Sequence, residues 1–517
     1  MPFFKTFTNT FSFKKGAFFI TAFFWIFVIL FLAIRVFVFL KLNLGYIDSD
    51  QAFMWMGASD YARGLFYEPR FYAQDYNTFM EALFAVPFIW MNVPVYYAVP
   101  LATHIIFSTP FIFTAFYLFF NRRKIQALMV LTIVLCLPAE YDLMNSLPRG
   151  FVTGLFFTSF FVVNMLNPNN LKFFIFNVIF CMIGYFVNPN SVIVSVPFLF
   201  YVYLHHFKNK RFYLINLPLA FLLIPLYLFF NHFYVVHPDY IKHGLEYRLS
   251  TAFFWHNLRE IDLRFIHISF FKEKSFLTIL FSLVFLAYFL YRQNKNAAWA
   301  YIAFIVVILF SFCTGKTLEG STWAYMSFSR MYLGIPVFMC LFLSVLNIKT
   351  NPLTLSLMLV PLVFSGYKMV SFERTLEPHY KNELWVGVRL IKFDDGLNAI
   401  KYYGEVCQKN KAPFLLISKD FWLNTFLAYG GPALYTNYPL TQETKADKRY
   451  WVREGLKNKV FDRFVIISEE FNLDKRLPKS VNFEIQRLDD YGMFLVKNNH
   501  VSVNAFAGLM NAFEPRP

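Results

Sequence analysis

Charge is scarce in this chain of 517 residues. Asp, Glu, Lys and Arg together make up 15%, against about 25% in an average soluble domain. Glycine (20) and proline (24) are too few for a collagen-like fibre or a low-complexity chain. Of the five cysteines, Cys136, Cys181, Cys313, Cys340 and Cys407, four fall in or beside apolar runs and none forms a CxxC pair. That pattern offers no disulfide framework and no thiolate metal site. Nucleotide hydrolysis has no P-loop to rest on, because TGKT at 314–317 lacks the preceding glycine. What the chain has in excess is apolar bulk: 57% hydrophobic residues, 71 of them phenylalanine. Apolar runs of bilayer length recur over most of the sequence. The expected class is a polytopic α-helical membrane protein, which excludes a soluble enzyme and a disordered chain.

The first run, 17–34, is too long for a signal-peptide core and reads as a retained anchor. Further spans are expected near 97–120, 125–138, 151–166, 172–187, 192–207, 214–234, 276–291, 298–313, 333–347 and 353–370, about eleven in all. The net charge of +16 is read as topology and not as a nucleic-acid surface. Arg122, Arg123, Lys124, Lys172, Lys208, Lys210, Arg211, Arg292, Lys295 and Lys349 all fall in loops on the N-terminal side of this arrangement. The positive-inside rule makes that side cytoplasmic. The expected location is the cytoplasmic (inner) membrane, with a cytoplasmic N-terminus. Residues 1–371 form the membrane domain, with long external loops at 43–96, 235–275 and 314–332. The stretch 79–93 reads as an interfacial helix, as does part of 235–275 with Trp255, His256, Arg259, Asp262 and Arg264. Past 371 the composition turns polar. APFLLIS (412–418), RFVIIS (463–468) and NFEIQRLDDYGMFLVK (482–497) read as strands, and 392–410 and 419–429 as helices. Residues 372–517 are thus expected to be a small extracytoplasmic α/β domain in a supporting or acceptor-binding role.

Candidate chemistry lies in the loops. Asp48 and Asp50 follow the first span, where a carboxylate must face water or a polar cavity. Acidic residues are also ordinary in such a loop, and a DxD spacing alone says little. Tyr72, Gln74, Asp75, Tyr76 and Glu81 combine rings that stack on the apolar face of a sugar with groups that bond its hydroxyls. An interfacial aromatic belt has the same composition. His237, His243, His256 and His267 share a loop without the spacing of a standard zinc motif.

Five elements occur in a telling order. Arg35 precedes Asp50-Gln51-Ala52 after the first span, and Gln74-Asp75-Tyr76…Glu81 closes the loop. Gly184…Asn188-Pro189 ends a middle span, and Ser329-Arg330-Met331-Tyr332…Pro336 opens a late one. This order, over about residues 1–371, resembles the GT-C superfamily of integral-membrane glycosyltransferases, in particular bacterial members related to protein O-mannosyltransferases and aminoarabinose transferases. Gln51 stands where the family has glutamate, and Ala73 and Thr78 where glycines are frequent.

The resemblance implies transfer of a sugar from a polyprenyl-phosphate-linked donor to a lipid, glycan or protein acceptor. Asp50, or else Asp48, accepts the proton of the acceptor hydroxyl, and the configuration inverts. Arg330, Arg149 and Lys316 face the leaving phosphate. No fixed cofactor is implied, and a divalent metal is compatible. A site needing the missing glutamate draws on Glu140 or Asp142 in the next external loop. Two rivals stand beside this reading: a flippase or transporter of lipid-linked glycans, and a catalytically silent scaffold. Transporters carry ionisable groups inside their spans, and these spans are almost free of charge.

Overall fold

Where water is absent, an apolar segment must satisfy its own backbone hydrogen bonds, and a helix does so within one segment. The computed structural model of the chain describes residues 3–72, 74, 77–240, 248–269, 272–348, 360–382, 391–419, 421–444, 447–469, 483–489, 492–498 and 500–513. Four helices among these residues are long and apolar enough to cross a membrane: Phe18–Asn43, Val95–Phe120, Lys210–Val236 and Ser275–Gln293. Most other expected spans are helices too, but shorter, such as Lys124–Leu135, Leu171–Val187, Val192–His206, Lys295–Ser311 and Gly334–Leu343. At about 1.5 Å rise per residue, a helix of 17 residues covers about 26 Å, short of a hydrocarbon core of about 30 Å. The expected 151–166 span is broken into the helical pieces Thr153–Phe156, Phe157–Phe160 and Phe161–Leu166. Part of the expected span 353–370 lies outside the described residues, and the rest opens the Val360–Asn382 helix.

The chain divides into two compact units. The first comprises Met1–Asn43, Thr103–Leu228 and Leu245–Glu383; the second comprises Leu44–Ala102, Phe229–Gly244 and Leu384–Pro517. The expected boundary at 371 is therefore not where packing divides the chain. Residues 44–102 pack with the C-terminal region.

In the first unit α1 (Phe3–Phe37) packs against Lys124–Leu135, and Val192–His206 against Lys295–Ser311. Phenylalanine does much of the filling. Phe304 stacks on Phe338 at 3.7 Å and 3°, Phe161 on Phe198 at 4.0 Å, and Phe24 on Phe119 at 4.0 Å. Apolar residues also cover the outside: Phe18, Ile29 and Val36 of α1 are exposed while Phe24, Phe27 and Phe31 are buried. A helix that is apolar all round suits lipid as its solvent.

The second unit is built on a five-stranded sheet of order β4-β3-β5-β7-β6. Its strands are β3 (Phe414–Ile417), β4 (Leu440–Glu443), β5 (Arg463–Ile467), β6 (Phe483–Arg487) and β7 (Met493–Asn498). β3 runs parallel to β4 and β5, and β7 antiparallel to β5 and β6. Side chains alternate between faces. Leu415, Ile417, Val465, Ile467 and Leu495 share a core with Ala52, Phe53 and Trp55 of α2 (Ser49–Ala62) and with Ile400 and Cys407 of the Phe393–Lys409 helix. Phe414, Leu416, Phe464, Ile466 and Val496 pack instead under Val503, Phe506 and Met510. A two-residue pair, β1 (Tyr46–Ile47) with β2 (Ile391–Lys392), ties the loop to the helix that opens the C-terminal region.

Candidate functional site

In the first unit the site is built on the segment after the short Ala139–Met144 helix. Gly150 adopts φ +79°, the left-handed region that favours glycine. Its carbonyl accepts from Asn188 Nδ2 at 2.6 Å, and Asn190 Nδ2 reaches the Arg330 carbonyl at 3.4 Å. The Asn188-Pro189 corner thus holds the backbone of both arginine segments. It can do so because Gly154 and Gly184 pass closely: a Cβ on Gly154 would lie 2.6 Å from the Asn188 carbonyl oxygen and 2.9 Å from that of Gly184.

The two arginines converge. The Arg149 and Arg330 guanidiniums lie 6.0 and 5.9 Å from the centroid of the Phe151 ring. Arg149 is buried and donates from Nη1 to the Tyr325 carbonyl. Arg330 donates to the Met326 carbonyl at 3.3 Å and lies 3.8 Å from Glu319, which also takes Lys316 Nζ at 2.5 Å. Burial pushes the Lys316 ammonium down; the Glu319 bond raises it again, and the Arg330 charge adds to the lowering. Gly320, at φ +146°, makes room, since a Cβ there would sit 3.1 Å from Arg330 Nη1. Lys316 and Arg330 share the Glu319 carboxylate, and Arg149 lies with Arg330 at the Phe151 ring, so the cations outnumber the carboxylate and the site matches an anionic group.

Asp142 has a different place. It is buried between two cations, Arg35 of α1 and Lys368, whose Nζ lies 3.0 Å from Oδ2. Arg35 also lies 4.7 Å from the Phe107 ring, and Lys368 donates to the Leu137 carbonyl. A carboxylate bracketed in this way is a poor metal ligand, so Asp142 does not fit the role of replacing the missing glutamate. Glu140 is buried in the same short helix. Among the described residues no group of three His, Cys, Asp or Glu side chains could hold a metal ion. The few charges in the long helices include Arg35, within Phe18–Asn43, and Lys368, within Val360–Asn382.

In the second unit Asp48 is the N-cap of α2, and its Oδ1 accepts from the Gln51 N–H at 3.1 Å. Asp50 stands in the first turn, half-buried, and Gln51 is buried behind it. Tyr72 is a core residue and not an open stacking surface. Its hydroxyl donates to Asp60 Oδ2 at 2.7 Å, and its ring packs on Phe79 and Trp451. Gln74 accepts from Asn77 at 3.2 Å, and Glu81 is buried in the first turn of α3 (Met80–Trp90). Asp75 and Tyr76 lie outside the described residues.

Sequence reasoning passed over two carboxylate clusters here. Burial raises the Asp60 carboxyl, against the bonds from Tyr72 and from Arg63 at 2.6 Å. The only local signal was the i,i+3 spacing of Asp60 and Arg63. Around β4, Arg449 holds Asp447 with Nε at 2.9 Å and Nη2 at 2.6 Å and also bonds the Ala428 and Thr441 carbonyls. Glu443 beside them is pushed up to about 8, first by burial and then by the Asp447 charge. Comparison with protein-family models, curated proteins and solved structures finds no match.

Proposed function

We propose that the protein is a membrane glycosyltransferase of GT-C type that moves a sugar from a polyprenyl-phosphate donor to an envelope acceptor on the outer face of the cytoplasmic membrane. The observation that carries this reading is the convergence of Arg149 and Arg330 on Phe151, with Lys316 beside them. In this reading about eleven spans cross the bilayer, the shorter helices tilting little, and residues 372–517 are external.

The acceptor hydroxyl attacks the anomeric carbon and loses its proton to a carboxylate base, the role the resemblance implies for Asp50. The bond from that carbon to the phosphate oxygen breaks, and the configuration inverts. The lipid phosphate leaves with the bonding pair, and Arg330 and Arg149 stabilise the charge it gains. Asp48 is the weaker choice of base, because its Oδ1 already serves the cap of α2. The test is transfer of labelled sugar by the purified protein from polyprenyl-phosphate sugars to lipid, glycan and protein acceptors.

One observation favours a second reading. Arg35 and Lys368 of the buried Arg35–Asp142–Lys368 group lie in long helices, where transporters keep their ionisable residues. A flippase would move the lipid-linked sugar across proteoliposome membranes and release no polyprenyl phosphate.

A further inference from the structure

Residues 143–238 contain no Asp or Glu. Within this stretch four exposed cations, Lys172, Lys208, Lys210 and Arg211, gather where three helices end: the start of Leu171–Val187, the end of Val192–His206 and the start of Lys210–Phe221. The three ends are fixed to one another. The Phe212 ring stacks on Phe174 at 5.4 Å and on His206 at 5.3 Å. His206 Nε2 bonds the Pro168 carbonyl at 2.7 Å, and Asn209 Oδ1 accepts from the Arg211 N–H at 3.0 Å.

Between these ends lies an open cavity of about 470 Å³, walled by Asn169, Leu171, His205, His206 and the turn from Phe207 to Asn209. Lys208 stands in its wall with Nζ 5.3 Å from the Phe207 ring. None of the four cations pairs with a carboxylate among the described residues. Leu214, Leu217 and Phe221 follow on one face of the next helix, 74%, 55% and 64% exposed. The surface therefore offers a polar, cationic cup continuous with an apolar strip. A small anion would use only the cup, and an amphiphile would use both.

We propose that this cavity seats the phosphate headgroup of an anionic phospholipid, with its acyl chains along Leu214, Leu217 and Phe221. The phosphate oxygens accept from Lys208 and from the lysines and arginine around it, and the cavity's amide and imidazole groups bond the headgroup. The site shares no residue with the sugar-transfer site and stands whether or not that reading holds.

The test uses the full chain in bilayers of phosphatidylcholine mixed with phosphatidylglycerol, with retained lipid counted by native mass spectrometry. The wild type is expected to retain phosphatidylglycerol over phosphatidylcholine. The Lys208→Gln/Lys210→Gln variant is expected to lose that preference by about fivefold for each cation removed. Lys208→Arg/Lys210→Arg keeps the charge and the preference, which separates loss of binding from loss of folding. Lys274→Gln, at an exposed lysine outside the cluster, leaves the preference unchanged. Equal retention of the two lipids, or full preference in the glutamine variant, overturns the proposal. So does wild-type binding of inorganic phosphate without preference for the anionic lipid, which would make free phosphate the occupant.

Discussion

Replacing Asp142 by asparagine removes the carboxylate that Arg35 and Lys368 share. The three side chains are 6%, 2% and 5% exposed for Arg35, Asp142 and Lys368, so water screens none of them. As they stand, the group sums to one positive charge. Asp142→Asn leaves two buried cations facing an amide. Removing one partner of a buried pair typically costs about 3–5 kcal/mol, a large share of a total stability of about 5–15 kcal/mol. Lys368→Met runs the other way. It leaves Arg35 and Asp142 balanced one to one and fills the space with an apolar chain of similar length, at an expected cost under about 1.5 kcal/mol. Thermal inactivation of the detergent-purified protein, followed by loss of the monodisperse species, ranks the variants. Asp142→Asn should fall far below wild type and Lys368→Met close to it. Equal losses, or a harmless Asp142→Asn, would refute the charge argument.

Asp48→Ala should cost about 0.5–2 kcal/mol through the lost cap of α2, while Asp50→Asn should leave the melting temperature unchanged and cut turnover about 10²–10⁴-fold; melts and transfer assays on both variants check this. Glu443 keeps its proton in the folded state up to about pH 8, whereas the unfolded chain loses it near 4.5. Its contribution to stability should therefore fall as pH rises between those values, and Glu443→Gln should flatten that slope in denaturation curves taken across the window. Gly154→Ala pushes a methyl to 2.6 Å from the Asn188 carbonyl oxygen and should cost about 1–3 kcal/mol, seen as a lower midpoint of thermal inactivation.

The helical character was legible because apolar length needs no partner to be read. So were β3 and β5, whose short runs FLLI and FVII are buried, and the antiparallel pair β6 and β7. β4 was not, because LTQE is polar; its Thr441 is held by Arg449 through both the side-chain and the carbonyl oxygen. The membership of α2 in the C-terminal unit was hidden as well. Ala52 and Trp55 pack near Gly430 and Ile400, more than three hundred residues away, and such a pairing leaves no local pattern. At the candidate site the sequence marked Arg149, Asn188 and Arg330 singly, and their meeting depends on the close pass of Gly154 and Gly184. The Arg35–Asp142–Lys368 group had one faint sign, a lysine inside an apolar run. Its partners sit 107 and 226 residues apart along the chain.

Release of polyprenyl phosphate from a polyprenyl-phosphate sugar, followed in proteoliposomes holding either the wild type or Arg330→Gln, decides whether the protein transfers sugar. Sugar transfer through the Arg149–Arg330 site predicts acceptor-dependent release by the wild type and a loss of about 10²–10³-fold in the variant, the usual cost of removing one donor from a developing charge. No release by the wild type with any acceptor, or equal rates in the two proteins, would contradict it.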